Sequence, residues 1–289
     1  GTNVVLSITS SDTGEATVTS ALTFTSANWD TAQTVTVTGA DDNLLDGTQT
    51  STFTISVVDG SSADQFDSVN DQTVSGTTVD NDSAGFTVTE ISGTSVSESG
   101  TTDTFTIVLD AQPAENVVFS ITSSDTGEAT VNSPLTFTPA NWDTPQTVTV
   151  TGVDDNIIDG TITSTLTISV VDGVSDDDFH SVNDQTVSVS TTDNDTAGFT
   201  ITESGGSTSV SESGTTDTFT IVLDAEPASD VVLTVTSGDT GEATVSTGTI
   251  TFTSANWDTA QTVTVTGVDD NIIDGTITST ITVAVDDAN

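Results

Sequence analysis

Gln146-Thr147-Val148-Thr149-Val150-Thr151-Gly152 sets apolar and hydroxyl side chains at alternate positions. A strand turns successive side chains to opposite faces, so such a run buries valine on one side and shows threonine on the other. The same alternation carries Phe105, Ile107 and Leu109 against Thr104, Thr106 and Val108, and it returns at Leu166 and Ile168. β-Branched and aromatic residues fill the runs, Gly, Asp and Asn separate them, and no window repeats at helical spacing. Working outward, the pattern predicts about seven strands at 85–90 with 94–98, 103–110, 116–122, a broken 128–138, 146–153, 162–171 and 185–192. A unit of that size and strand number reads as an all-β, antiparallel Greek-key sandwich.

The unit recurs. Asn141-Trp142-Asp143-Thr144 is repeated as Asn28-Trp29-Asp30-Thr31 and Asn256-Trp257-Asp258-Thr259, with the tryptophans 113 and 115 residues apart. Ser83-Ala84-Gly85-Phe86 returns as Thr196-Ala197-Gly198-Phe199, and Asn3-Val4-Val5-Leu6-Ser7 matches Asn116-Val117-Val118-Phe119-Ser120. The expected organisation is an elongated array: a partial repeat at 1–82 without the first strands, a complete one at 83–195, and a partial one at 196–289 without the last strand. The tryptophans are expected to pack over an open end of each sandwich. The acidic run at Asp172 and Asp176–Asp178 is expected to be solvated, and His180, replaced by Asp67 in the first repeat, to be incidental.

Composition narrows function sharply. The 289 residues include 44 acids and neither lysine nor arginine, a formal charge of −44. Nothing offers a basic footprint for nucleic acid or anionic lipid. Without cysteine there are no disulfides or thiolate metal sites. No apolar stretch approaches the roughly 20 residues of a membrane span, and no signal peptide is recognisable; targeting sequences were removed, or the chain is a window of a longer array. With one histidine and no repeated partner for it, no catalytic triad is expected and the chain reads as non-enzymatic.

The repeated acids sit between strands, at Glu98, Asp125, Glu128, Asp154, Asp155, Asp159, Asp193 and Asp195. In a seven-strand up-and-down path, alternate loops share one end, so the loops carrying Glu98, Asp125, Asp154–Asp159 and Asp193–Asp195 are expected to converge at one pole. Two carboxylates about 5 Å apart repel by roughly 0.8 kcal/mol in water and about 3 kcal/mol at an effective dielectric of 20. No internal cation offsets this, whereas a divalent ion would. Hard oxygen donors without His or Cys favour calcium over zinc or copper, and magnesium holds its own waters too firmly for a carboxylate cage. Asp154-Asp155-Asn156-Ile157-Ile158-Asp159-Gly160 is not an EF-hand loop. The competing reading of the acids is a salt-adapted surface.

Taken together, Ser97-Glu98-Ser99-Gly100, Ser124-Asp125-Thr126-Gly127, Val153-Asp154-Asp155-Asn156-Ile157-Ile158-Asp159 and Asp193-Asn194-Asp195-Thr196-Ala197-Gly198 make the unit resemble a Calx-β domain. The resemblance covers the whole chain and implies calcium held at the pole facing the following domain. It implies ligands at Glu98, Asp125, Asp154, Asp155, Asp159, Asp193 and Asp195, with the backbone carbonyl of Ile157. By position it extends to Asp12, Asp41, Asp42, Asp46, Asp80 and Asp82, and to Glu212, Asp239, Asp269, Asp270 and Asp274. Asn156 and Asn194 stand where the family has acids, which implies fewer ions or weaker binding.

The expected role is a calcium-stiffened stalk or filament of a bacterial surface, adhesion or biofilm protein, outside the cell where calcium is millimolar. Its partners would be calcium, further repeats of the same chain or other copies of it, and surface glycans if the array is adhesive. An adhesive module recognising glycan or another cell is one alternative. A fibre subunit completed by strands from neighbouring chains is another, since open sheet edges invite strand addition.

Overall fold

The computed structural model describes residues 3–273 and 275–287. The chain is β throughout; among the described residues, helical structure is confined to three-residue 3-10 turns, and no helix is long and apolar enough to cross a membrane. In the second repeat a five-stranded sheet runs Leu135–Phe137, Val117–Ser123, Thr161–Val170, Gln185–Thr192, Thr94–Ser97. It faces a four-stranded sheet of Ala129–Val131, Gln146–Gly152, Thr102–Leu109 and Phe86–Glu90. The strands fall within about a residue of their expected positions, because the two-residue alternation that locates them is local.

The inward residues of both sheets make one core, with Phe105, Ile107, Phe119, Phe137, Leu166 and Ile168 buried. Phe119 sits edge-on to Phe86 and Phe137, at centroid separations of 4.7 and 6.0 Å. The chain crosses between the sheets at every connection until the last, from Thr161–Val170 to Gln185–Thr192, which stays in one sheet. Every strand pair within this repeat is antiparallel but one. Gln185–Thr192 runs parallel to Thr94–Ser97, with Thr192 opposite Ser97. This exception matters, because parallel neighbours end at the same pole.

The flanking repeats reuse the same parts. The first has a sheet of Ala21–Phe24, Val4–Ser10, Gln49–Val57 and Gln72–Thr78 beside a two-stranded ribbon, over a small core of Ile8, Ala16 and Phe53. The third pairs a four-stranded sheet with a three-stranded one, Thr249–Phe252, Val231–Ser237 and Ile281–Val285. Trp142 and Trp257 pack on the cores of their repeats, and their carbonyls accept the Leu109 and Leu223 N–H groups at 3.1 Å. Trp29 departs from the expected packing role. It is 72% exposed, because the first repeat has no described counterpart of Thr102–Leu109 to receive it.

The acidic run of the second repeat is not all solvated. Asp172, Asp177 and Asp178 are exposed, but Asp176 is buried, accepting the Glu115 N–H at 2.8 Å and the Asp178 N–H at 3.1 Å. It caps the turn that sinks Phe179 into the core. An acceptor that takes two backbone donors is stable in burial where a bare charge is not.

Gly152 shows how closely the sheets approach beside the pole. A Cβ there would run into the Ser97 carbonyl, and one at Gly267 into that of Ser211, whereas at Gly39 the nearest atom would be Thr78 Cγ2 at an ordinary 3.7 Å. Gly152→Ala is therefore expected to destabilise its repeat by about 1–3 kcal/mol, and Gly39→Ala to stay within about 0.5 kcal/mol of the parent. Urea melts of the two variants check this; equal effects would mean that the backbone crossing at Ser97 is not tight.

Candidate metal centre

The pole is built by the parallel pair. Glu98 follows Ser97 and Asp193 follows Thr192, and the Glu98 N–H donates to the Thr192 carbonyl at 3.1 Å. Asp193 then acts as a clamp. One of its oxygens accepts the N–H groups of Asp159 and Gly160 at 3.1 and 2.9 Å, and the other accepts that of Asp195 at 2.6 Å. These backbone donors, Gly160 first, hold its carboxyl below the usual range. The loop bearing Asp155 and Asp159 is thereby drawn against Glu98.

Two groups of three carboxylates result, and they share Glu98: Glu98 with Asp155 and Asp195, and Glu98 with Glu128 and Asp159. In each group one oxygen per residue lies within 4.8 Å of the others. Two oxygens bound to one calcium at 2.3–2.6 Å stand at most about 5 Å apart, so each group has the spacing of a single-ion site. Glu98 is 0% and Glu128 5% exposed. Glu98 Oε1, Glu128 Oε2 and Asp195 Oδ2 are buried with no hydrogen-bond partner. A buried carboxylate oxygen without a donor costs several kcal/mol when ionised. The donor chemistry and the orphaned oxygens both fit a hard cation.

Protonation shows the same strain. Burial, then the carboxylates of Asp159, Glu98, Asp155 and Asp125, push Glu128 up to about 7. Burial raises Glu98 against the lowering effect of the Asn194 N–H, with Asp193, Asp155 and Asp159 adding to the rise. Burial and neighbouring acids also raise Asp159 and Asp195.

Of the sequence-derived ligands in this repeat, Glu98, Asp155, Asp159 and Asp195 come together, and Asp125, Asp154 and Asp193 lie outside both groups. Asp125 closes its own turn by accepting the Gly127 N–H at 2.9 Å, as Asp12 and Asp239 do with Gly14 and Gly241. Asp154 accepts from the Asn194 side chain at 2.9 Å. Ile157 forms a backbone bridge with Glu226 of the third repeat. Glu128 was not among the expected ligands. Its signal was available, since Thr-Gly-Glu-Ala-Thr recurs with Glu15 and Glu242 ahead of a strand beginning in buried alanine.

Among the described residues, no such group forms in the first or third repeat. In the first repeat Asp80 clamps Asp46, Gly47 and Asp82 as Asp193 does, and burial and neighbouring acids raise Glu15, Asp46 and Asp82; no described residue corresponds to Glu98. Asp41 and Asp42 lie on the same loop, with Asp42 accepting the Leu44 N–H at 2.9 Å. In the third repeat Glu212, Asp239, Asp269 and Asp270 have no described counterparts of Asp193 and Asp195, and Asp274 lies outside the described residues.

The acidic loops also make the junctions. Gln112 N–H donates to the Asn43 carbonyl at 2.7 Å, and Leu45 N–H to the Gln112 carbonyl at 3.0 Å. Leu45 packs against the core of the second repeat. At the next junction Glu226 N–H donates to the Asn156 carbonyl at 2.6 Å.

No protein-family model and no curated protein match this chain. Solved structures similar to it include domains 4 and 5 of the S-layer protein SbsC, at 18% identity over 65% of this chain and 70% of that one, with a TM-score of 0.31. CBD12 from CALX1.2 is similar at 14% identity over 64% of this chain and 76% of that one, TM-score 0.30. The calcium binding domain CBD12 of CALX1.1 follows at 15% identity over 65% and 76%, TM-score 0.26. Likenesses this distant carry no argument about ligands, which rests on the geometry of the pole.

Proposed function

We propose that this chain is a segment of an extracellular structural array in which calcium stiffens tandem β-sandwich units spanning 1–82, 83–195 and 196–289. The observation that carries the reading is the set of buried, donorless oxygens on Glu98, Glu128 and Asp195 in a chain without one lysine or arginine. In the complete unit Glu98, Asp155 and Asp195 would hold one ion, and Glu98, Glu128 and Asp159 a second, with Glu98 bridging them. The sequence resemblance to Calx-β domains supports the same ligand class.

The mechanical consequence follows from the junctions. The loop that carries Asp155 and Asp159 also carries Asn156, whose carbonyl docks on the next repeat. Binding of an ion fixes that loop and with it the angle between units. Extracellular sites of 10⁻⁴–10⁻³ M affinity fill in millimolar calcium and empty in cytosol. Such an array suits a stalk or filament at a bacterial surface.

Calorimetric calcium titration with X-ray scattering and thermal melts tests this. Expected are saturable binding, a melting temperature raised on the order of 10 °C over the chelated chain, and a longer, narrower distance distribution. Calcium that leaves both the melt and the scattering unchanged overturns the reading; equal effects of magnesium would remove the calcium preference.

A further inference from the structure

Along Thr161–Val170 the side chains that point inward include Ser164, Leu166 and Ile168, and all three are fully buried. Leu166 and Ile168 join the core, whereas the Ser164 hydroxyl has no hydrogen-bond partner. A buried hydroxyl left unpaired is destabilising where an apolar group of the same shape is not. The sequence nevertheless sets serine at this point of each repeat, with Ser51 and Ser279 in the matching positions. Ser51 is likewise fully buried and without a partner. A polar group placed so consistently at an apolar position calls for a function.

The register brings Ser164 beneath the acidic pole. On one side it stands opposite Val189. Thr191, the next inward residue towards the pole, is buried, and its hydroxyl reaches the Glu128 carbonyl at 3.4 Å. On the other side the pairing with Val117–Ser123 ends at Leu166, and the turn leading to Glu128 follows. Ser124 N–H donates to the Thr165 carbonyl, and Thr165 N–H to the Ser124 hydroxyl, both at 2.9 Å. Ser164 is thus bracketed by the turn that carries Glu128 and by the strand that supports it. Glu128 Oε2 is itself buried without a donor. One end of the core therefore holds a donor without an acceptor and an acceptor without a donor.

We infer that Ser164 is a positioning residue for the metal centre: with calcium bound, its hydroxyl donates to the Glu128 carboxylate and fixes the orientation in which Glu128 meets the ion. The inference rests on the metal reading above and adds to it a residue that no acidic pattern marks. Hydrogen-bond partners of this kind orient a ligand and change metal affinity by about 10–100-fold. The effect belongs to the ion held by Glu98, Glu128 and Asp159, and not to the group of Glu98, Asp155 and Asp195.

Calorimetric calcium titrations and thermal melts of the full chain test this, on the parent, Ser164→Ala, Glu128→Gln and the double variant. Ser164→Ala is expected to weaken one class of calcium site about tenfold. In chelator its melting temperature is expected to equal or exceed the parent's, because the deleted hydroxyl has no partner there. Added to Glu128→Gln, the same substitution is expected to change calcium affinity less than about twofold, the non-additivity of groups that act as one. Thr163→Ala, on the exposed neighbour in the same strand, is expected to leave calcium affinity unchanged. A parent that binds calcium and a Ser164→Ala variant that binds it equally well overturn this inference and leave the metal reading standing. A melting temperature lowered in chelator shows that the hydroxyl already serves the metal-free fold, and overturns it too. So does a tenfold loss that persists in the double variant, or one that Thr163→Ala reproduces. A parent that binds no calcium removes the metal reading, and this inference with it.

Discussion

Glu128→Gln is expected to raise the melting temperature of the second repeat in chelator and to shrink the rise that calcium brings. In the metal-free chain Glu128 is buried among Asp159, Glu98, Asp155 and Asp125, and one of its oxygens has no donor. Glutamine keeps the shape, removes one charge from the group, and turns an orphaned acceptor into an amide that can donate to a neighbouring carboxylate. Relief of one such repulsive contact at an effective dielectric near 20 is worth about 3 kcal/mol at 5 Å; relaxation of the pole makes 1–2 kcal/mol a fair expectation, or roughly 5–10 °C for a unit of this size.

With calcium the substitution works against binding. An amide oxygen is a weaker ligand than a carboxylate, so the ion held with Glu98 and Asp159 is bound less tightly, and the gain from calcium is expected to fall by at least half. Asp172→Asn, on an exposed acid of the same repeat, supplies the control for net charge and is expected to move neither curve. A Glu128→Gln variant less stable than the parent in chelator would show that the carboxylate is a structural acceptor. A variant with an undiminished calcium response would show that Glu128 is no ligand.

The sandwich was legible in the sequence because strand positions follow from a local period of two, seen at Phe105-Thr106-Ile107 and Val148-Thr149-Val150. Convergence of the acidic loops was also legible, since reversal of direction at each turn holds even though the chain changes sheets at nearly every one. The ligand roll was less so, for a chemical reason. Aspartate serves turns and metals through the same oxygens, so spacing alone does not separate Asp125, in its turn with Gly127, or Asp193, a backbone clamp, from the acids that group at the pole. Glu128 recurs in every repeat, but its burial comes from packing between distant segments, with the Thr191 hydroxyl reaching its carbonyl at 3.4 Å from 63 positions away. Asp176 hid in an acidic run for the same reason, its partner Glu115 lying 61 residues upstream. Partnership across such distances is set by packing, which no local pattern encodes.

Stability of the metal-free chain is expected to increase as pH falls from 8 towards 5, the reverse of a protein held by paired carboxylates. Glu128 rises from an ordinary 4.5 to about 7 on folding. Between those values the folded chain binds a proton that the unfolded chain does not, so stability is lost as pH rises through this window. The full displacement corresponds to about 3 kcal/mol from this group. Glu98, Asp159 and Asp195 are also raised and act in the same direction, as do Glu15, Asp46 and Asp82 in the first repeat. Asp193 and Asp80 are lowered, so their contributions are present above the ordinary aspartate value of 3.8 and are lost only below it, outside the window. In saturating calcium the ions replace the protons, and the slope between pH 5 and 8 is expected to flatten or invert, with the calcium gain largest at pH 8 and small at pH 5. Melts in metal-stripped and calcium buffers at constant, high ionic strength check this, high salt suppressing the general repulsion of an acidic surface. Glu128→Gln separates the pole from that surface: its metal-free slope should shrink markedly, and a slope as steep as the parent's would assign the effect to diffuse charge and leave the pole without its titrating group.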